Sequence, residues 1–179
     1  FSQQKAMNNL RVVLSSLRKH LGDYLLITRD TASMNPAMAY DLDVAVLDAN
    51  LDFVGDYERK TGTLNQEAIT RIEQAVDLYR GEFLSGFFVE QAPELESWMV
   101  VERERIHHLV LDGLGKLVRW KLEQGEYTSG IGYALRWSQL DSLSETAHRG
   151  MMQLLAFSGQ RSAALAQYQR CQEILLDEL

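Results

Sequence analysis

Apolar residues recur at helical spacing along most of this chain. Leu10, Leu14, Leu17 and Leu21, flanked by Met7 and Val13, predict one helix over residues 3–21. Gly22 is placed to stop it. Tyr24 to Thr28 then read as a β-type run, Arg29 to Ala32 as a turn, and Ser33 to Asn35 as a short return strand. Pro36 opens a connector, and Asp41 to Asp43 offer N-caps for a helix over roughly 43–57 with Val44, Leu47, Leu51 and Val54 inward. A polar loop follows at 58–64. The next helix runs from about Asn65 to Tyr79 on Ile69, Ile72, Ala75, Val76 and Leu78, with Gly81 as its natural left-handed stop. Pro93 suits the first turn of a long helix reaching about Leu122, with a break open at Gly113 or Gly115. Helices at roughly 127–140, 143–158 and 160–178 complete the chain, with Asp141 and Ser144 as candidate caps.

The last third repeats itself at an offset of 34 residues. Leu117 maps to Met151, Gly125 to Gly159, Gly130 to Ala164, Ile131 to Leu165 and Trp137 to Cys171. Helix, turn at glycine, small residue, helix at this period is the tetratricopeptide grammar, in which hairpins bury their faces by stacking. Two hairpins are fewer than such a stack needs, so the helices at 43–57, 65–79 and 94–122 are expected to complete it.

Composition adds boundaries. The chain has 179 residues and only two prolines, which favours long helices. One cysteine, Cys171, excludes an internal disulfide and fits a reducing, cytoplasmic setting. No apolar run approaches the roughly 20 residues of a membrane span. Residues 1–21 are too polar for a signal peptide. The chain opens without Met and in mid-pattern, as a fragment or trimmed chain does. Net charge is −7, unevenly placed: residues 1–30 hold five basic and two acidic side chains, so an acidic body carries a basic head.

That head has the order helix, glycine, strand, turn, strand. The stretch Leu10-Arg11-Val12-Val13-Leu14-Ser15-Ser16-Leu17-Arg18-Lys19-His20-Leu21-Gly22 resembles the recognition helix of the response-regulator type of winged helix. The resemblance implies that Asn8, Arg11, Val12 and Ser15 face base edges, while Lys5, Ser16, Arg18 and Lys19 face phosphates. Arg29, in the wing turn, joins them as a DNA-binding candidate. The plainer alternative is the solvated face of an amphipathic helix. The two helices that precede the recognition helix in that family are absent from the sequence.

Further motifs follow in order: Leu78-Tyr79-Arg80-Gly81-Glu82-Phe83-Leu84, Trp98 with Glu102-Arg103-Glu104-Arg105, Leu140-Asp141-Ser142-Leu143-Ser144-Glu145 with His148-Arg149, and Gly159-Gln160-Arg161-Ser162-Ala163-Ala164-Leu165 with Tyr168. Together they resemble the bacterial transcriptional activator domain, which follows a winged helix in regulators of the antibiotic-pathway type. The resemblance implies a mainly α fold: a tetratricopeptide-like helical-hairpin array over 41–179 behind a partial winged helix over 1–35. It implies a transcriptional activator that binds double-stranded promoter DNA. The helical domain would self-associate, as in a homodimer, or contact RNA polymerase or other regulator domains.

Chemistry is sparse. No phosphate-binding GxxxxGK[ST] loop and no GxSxG elbow occurs, so no cofactor is expected. His107 and His108 are adjacent and point about 100° apart on a helix, which does not clamp a metal. His20 and His148 are read as lone histidines near helix ends, and Cys171 as a core residue. Asp48, Asp52 and Asp56 share a helix face without the alternation and glycine of a calcium loop. Phe83, Leu84, Phe87 and Phe88 either tuck under neighbouring helices, the commoner fate, or form a docking patch. No catalytic or metal site emerges, and the chain reads as a non-enzyme. A tetratricopeptide adaptor without DNA binding and an enzyme accessory domain are the competing readings.

Overall fold

The computed structural model describes residues 3–28 and 31–178. The chain divides into two units, Phe1–Leu42 and Asp43–Leu179. In the first, α1 (Gln3–Leu21) runs as the leucine spacing predicts, and Gly22 ends it at φ 52°. A short 3-10 turn, Gly22–Tyr24, leads into β1 (Leu25–Ile27), which pairs antiparallel with β2 (Ala32–Met34). The register sets Leu25 against Met34 and Ile27 against Ala32. Thr28 and Thr31 close the turn through their hydroxyls at 2.7 Å, and the Asn35 side chain donates to the Asp23 carbonyl at 2.8 Å.

The second unit is three helical hairpins in sequence. Helix α2 (Asp43–Thr61) pairs with α3 (Gln66–Leu78), α4 (Pro93–Glu123) with α5 (Tyr127–Leu140), and α6 (Glu145–Phe157) with α7 (Arg161–Glu178). Consecutive hairpins stack through α3 on α4 and α5 on α6, and α4 also meets both α2 and α6. One core gathers Leu47 and Val54 from α2, Ile69, Ile72 and Val76 from α3, and Val110, Leu114 and Leu117 from α4. A second gathers Val118, Ala134, Met151, Leu154 and Leu155. Sharing α4 between the two cores makes the stack continuous.

The 34-residue offset is visible in the backbone. Helices α4 and α6 end, and α5 and α7 begin, 34 residues apart. Gly125 and Gly159 both take left-handed φ, 72° and 84°. Glu126 N–H donates to Lys121 O at 2.9 Å, and Gln160 N–H to Leu155 O at 2.8 Å, so both turns share the six-to-one bond of a glycine C-cap.

Three expectations need correction. Helix α2 runs to Thr61 rather than 57, because Arg59 pairs with Asp56 and Thr61 Oγ1 donates to Tyr57 O at 2.9 Å. Gly62, at φ 72°, is the actual stop. Gly81 does not adopt the left-handed conformation; α3 ends at Leu78, with Tyr79 extended. Finally, α4 is unbroken through Gly113 and Gly115. A Cβ on Gly113 would lie 3.2 Å from Ile72 Cγ2 and Val76 Cγ1, and one on Gly115 3.0 Å from Trp137 Cη2. These glycines admit close neighbours rather than bend the helix.

Candidate functional site

Helix α1 is built as an amphipathic rod. Lys5, Asn8, Arg11, Val12, Ser15, Ser16, Arg18 and Lys19 are all exposed along it, and the 100° step places Asn8, Val12 and Ser15 opposite the leucine stripe, with Arg11 and Arg18 at its margins. Arg18, Lys19 and His20 occupy the last turn, where cations complement the helix dipole. The His20 ring bonds the Ser16 carbonyl at 2.8 Å. Arg29 lies outside the described residues. The apolar stripe is exposed too: within this unit Leu10 is 51% and Leu17 41% accessible, and only Leu14 is half-buried.

The second unit carries a dense set of paired charges. Arg105 on α4 grips Asp48 on α2 through two bonds of 2.7 and 3.1 Å and also reaches Glu102. Asp48, then Glu102, hold the Arg105 guanidinium above its ordinary pKa. Lys116 lies between Glu58 and Asp112, at 2.8 and 3.0 Å. Burial pulls its ammonium down, and the two carboxylates outweigh that to leave it raised. Tyr133 donates to Glu73 at 3.0 Å. Burial and then Glu73 push its phenol up to about 12. The expected acidic face of α2 is therefore partly committed to internal pairs through Asp48 and Asp56.

The histidines divide. His108 sits 2.8 Å from Glu104, while His107 faces the Tyr79 hydroxyl at 3.4 Å. Among the described residues no group of three or more His, Cys, Asp or Glu is placed to hold a metal. His148 does not stand alone. It is 2% exposed in the first turns of α6, with Nε2 on the Ser142 carbonyl at 2.9 Å and Nδ1 on the Gln167 amide at 2.5 Å. It ties the α5–α6 loop to α7. Cys171 is buried, as core packing requires.

The aromatic loop between α3 and α4 is split rather than tucked away. Phe83 meets Trp98 edge-on at 5.6 Å, and Arg103 donates to the Phe83 and Leu84 carbonyls at 2.8 and 3.0 Å. Phe87 and Phe88 remain exposed. Two further features escaped the sequence reading. A cavity of about 360 Å³ lies between the start of α2 and the end of α3 over Leu47 and Ile106. A groove between α4 and α6 brings Arg119 and Arg149 together beside Trp137. The 34-residue repeat aligns α4 with α6, but which side chains meet between two stacked helices is not set by that period.

Among the described residues no helix is long and apolar enough to cross a membrane. No curated relative matches the chain. The model of a regulatory family, rather than of an enzyme family, matches residues 42–179, the whole hairpin array. By that match the chain belongs to the bacterial transcriptional activator domain family.

Proposed function

We propose that this chain is part of a cytoplasmic transcriptional activator. It reads double-stranded promoter DNA through a winged helix at 1–35, and its hairpin array at 41–179 self-associates or contacts RNA polymerase or another regulator domain. The observation that carries the reading is the sequel in the first unit: an amphipathic α1 stopped by Gly22, then the β1–β2 hairpin. Joined to an activator domain, that order fits a recognition helix with its wing. In this reading Asn8, Arg11, Val12 and Ser15 meet base edges. Lys5, Ser16, Arg18 and Lys19 meet phosphates, and Arg29 is a further DNA-binding candidate. The exposed leucine stripe of α1 is then the face that two upstream helices cover. Dimerisation through the array raises affinity by holding two heads over two half-sites.

The test uses the intact gene product and duplexes selected from a randomised library. Each phosphate-neutralising cation contributes about −0.9 to the slope of log affinity against log salt. Changing Lys5, Arg18 and Lys19 to Gln is expected to flatten that slope by about two to three. A slope unchanged by all three, or no salt-sensitive duplex binding at all, favours the adaptor reading instead.

A further inference from the structure

Helix α4 carries five basic side chains. Four are satisfied internally: Arg103 by the Phe83 and Leu84 carbonyls, Arg105 by Asp48 and Glu102, Lys116 by Glu58 and Asp112, Lys121 by Glu126. Arg119 alone has no hydrogen bond or ion pair to a described residue, and the same holds for Arg149 on α6. Both are exposed, and both line one depression of about 170 Å³ between the two helices. No acidic residue lines it.

The shape has a local cause. Gly150 brings α6 onto α4, since a Cβ there would lie 2.8 Å from Val118 Cγ1. Gly115 lets the Trp137 ring lie against α4. The result is an apolar floor of Trp137 and Leu122 with a guanidinium on each helix and the Gln153 amide beside them. On a chain of net charge −7, these two guanidiniums share one depression that no carboxylate lines. The guanidinium fork matches a carboxylate. A depression of about 330 Å³ that shares Gly115, Arg119 and Trp137 with the groove includes Asp112 and Asp141, which disfavour an anion there.

We infer that the α4–α6 groove docks an acidic segment of a protein partner, its carboxylates on Arg119 and Arg149 and an apolar side chain on Trp137. The inference rests on the reading of the array as a contact surface for other proteins. The test is selection from a displayed library of random peptides on the full chain, and in parallel on the chain carrying Arg119→Gln and Arg149→Gln. Peptides enriched in Asp and Glu next to apolar residues are expected on the first and not on the second. By fluorescence anisotropy the best of them is expected to bind about tenfold more weakly for each arginine removed. No enrichment, enrichment without acids, or equal binding to the doubly substituted chain overturns the inference. So does a shift in sedimentation from dimer to monomer on double substitution, which makes a second copy the occupant. Duplex binding by the intact gene product, measured alongside, separates the two claims. If it survives while no acidic peptide is selected, the groove inference alone fails. If acidic peptides bind and duplex does not, the regulator reading alone fails.

Discussion

Arg136 on α5 donates to the Val76 carbonyl at 2.7 Å and also to the Tyr79 carbonyl, closing the end of α3 from another hairpin. A helix leaves its last carbonyls unpaired, and here a guanidinium takes the place of a left-handed glycine. The bond therefore joins the first hairpin to the second. Because the Arg136 side chain is 30% exposed, water replaces part of what is lost. Arg136→Met is expected to lower stability by about 2 kcal/mol, read from the urea midpoint at unchanged slope. A midpoint like that of the unsubstituted chain would show that the cap is ornamental.

Two glycines on α5 should respond in opposite directions to alanine. A Cβ on Gly130 would lie 2.7 Å from Leu154 Cδ2 and 2.9 Å from Lys121 Cβ, whereas one on Gly132 meets nothing within 4 Å. Gly130→Ala is expected to cost about 1–3 kcal/mol through overpacking. Gly132→Ala is expected to add about 0.5–1 kcal/mol through helix propensity. Thermal unfolding of the pair checks the sign, and a stabilising Gly130→Ala contradicts the described α4–α5–α6 packing.

The contrast between these cases marks what was legible in the sequence. The helices carried by local signals are found close to their expected bounds, as with Asn65, whose side chain accepts from Ala68 N–H at 2.8 Å. The 34-residue offset named both glycine turns because Gly125 and Gly159 act within their own loops. Gly81 failed as a stop because Arg136, which replaces it, lies 60 residues from Val76. His148 sits near a helix end as expected but is not a lone side chain, because its partner Gln167 is on the next helix. The Arg119–Arg149 groove is also a product of helix stacking, which periodicity announces without assigning side chains to its walls.

Tyr133 gives a pH signature. Its phenol is raised to about 12 by burial and by the Glu73 carboxylate. A raised folded-state value favours the neutral form in the folded protein, so this contribution is fully present below pH 10, the ordinary tyrosine value. It is lost as pH climbs from there towards 12. Tyr133→Phe should flatten the decline of stability across that alkaline window relative to the unsubstituted chain, as followed by urea unfolding at stepped pH. Identical declines would mean that Tyr133 titrates normally.

In the proposed reading the polar face of α1 reads bases. The direct measurement is the affinity of the intact gene product for its selected duplex, with and without Asn8→Ala and Arg11→Ala, at one fixed salt concentration. Each lost bidentate base contact costs about 1–3 kcal/mol, so the double substitution is predicted to weaken binding by at least tenfold while helix content stays constant. Affinity equal to that of the unsubstituted protein would contradict the assignment and leave α1 as a solvated amphipathic helix.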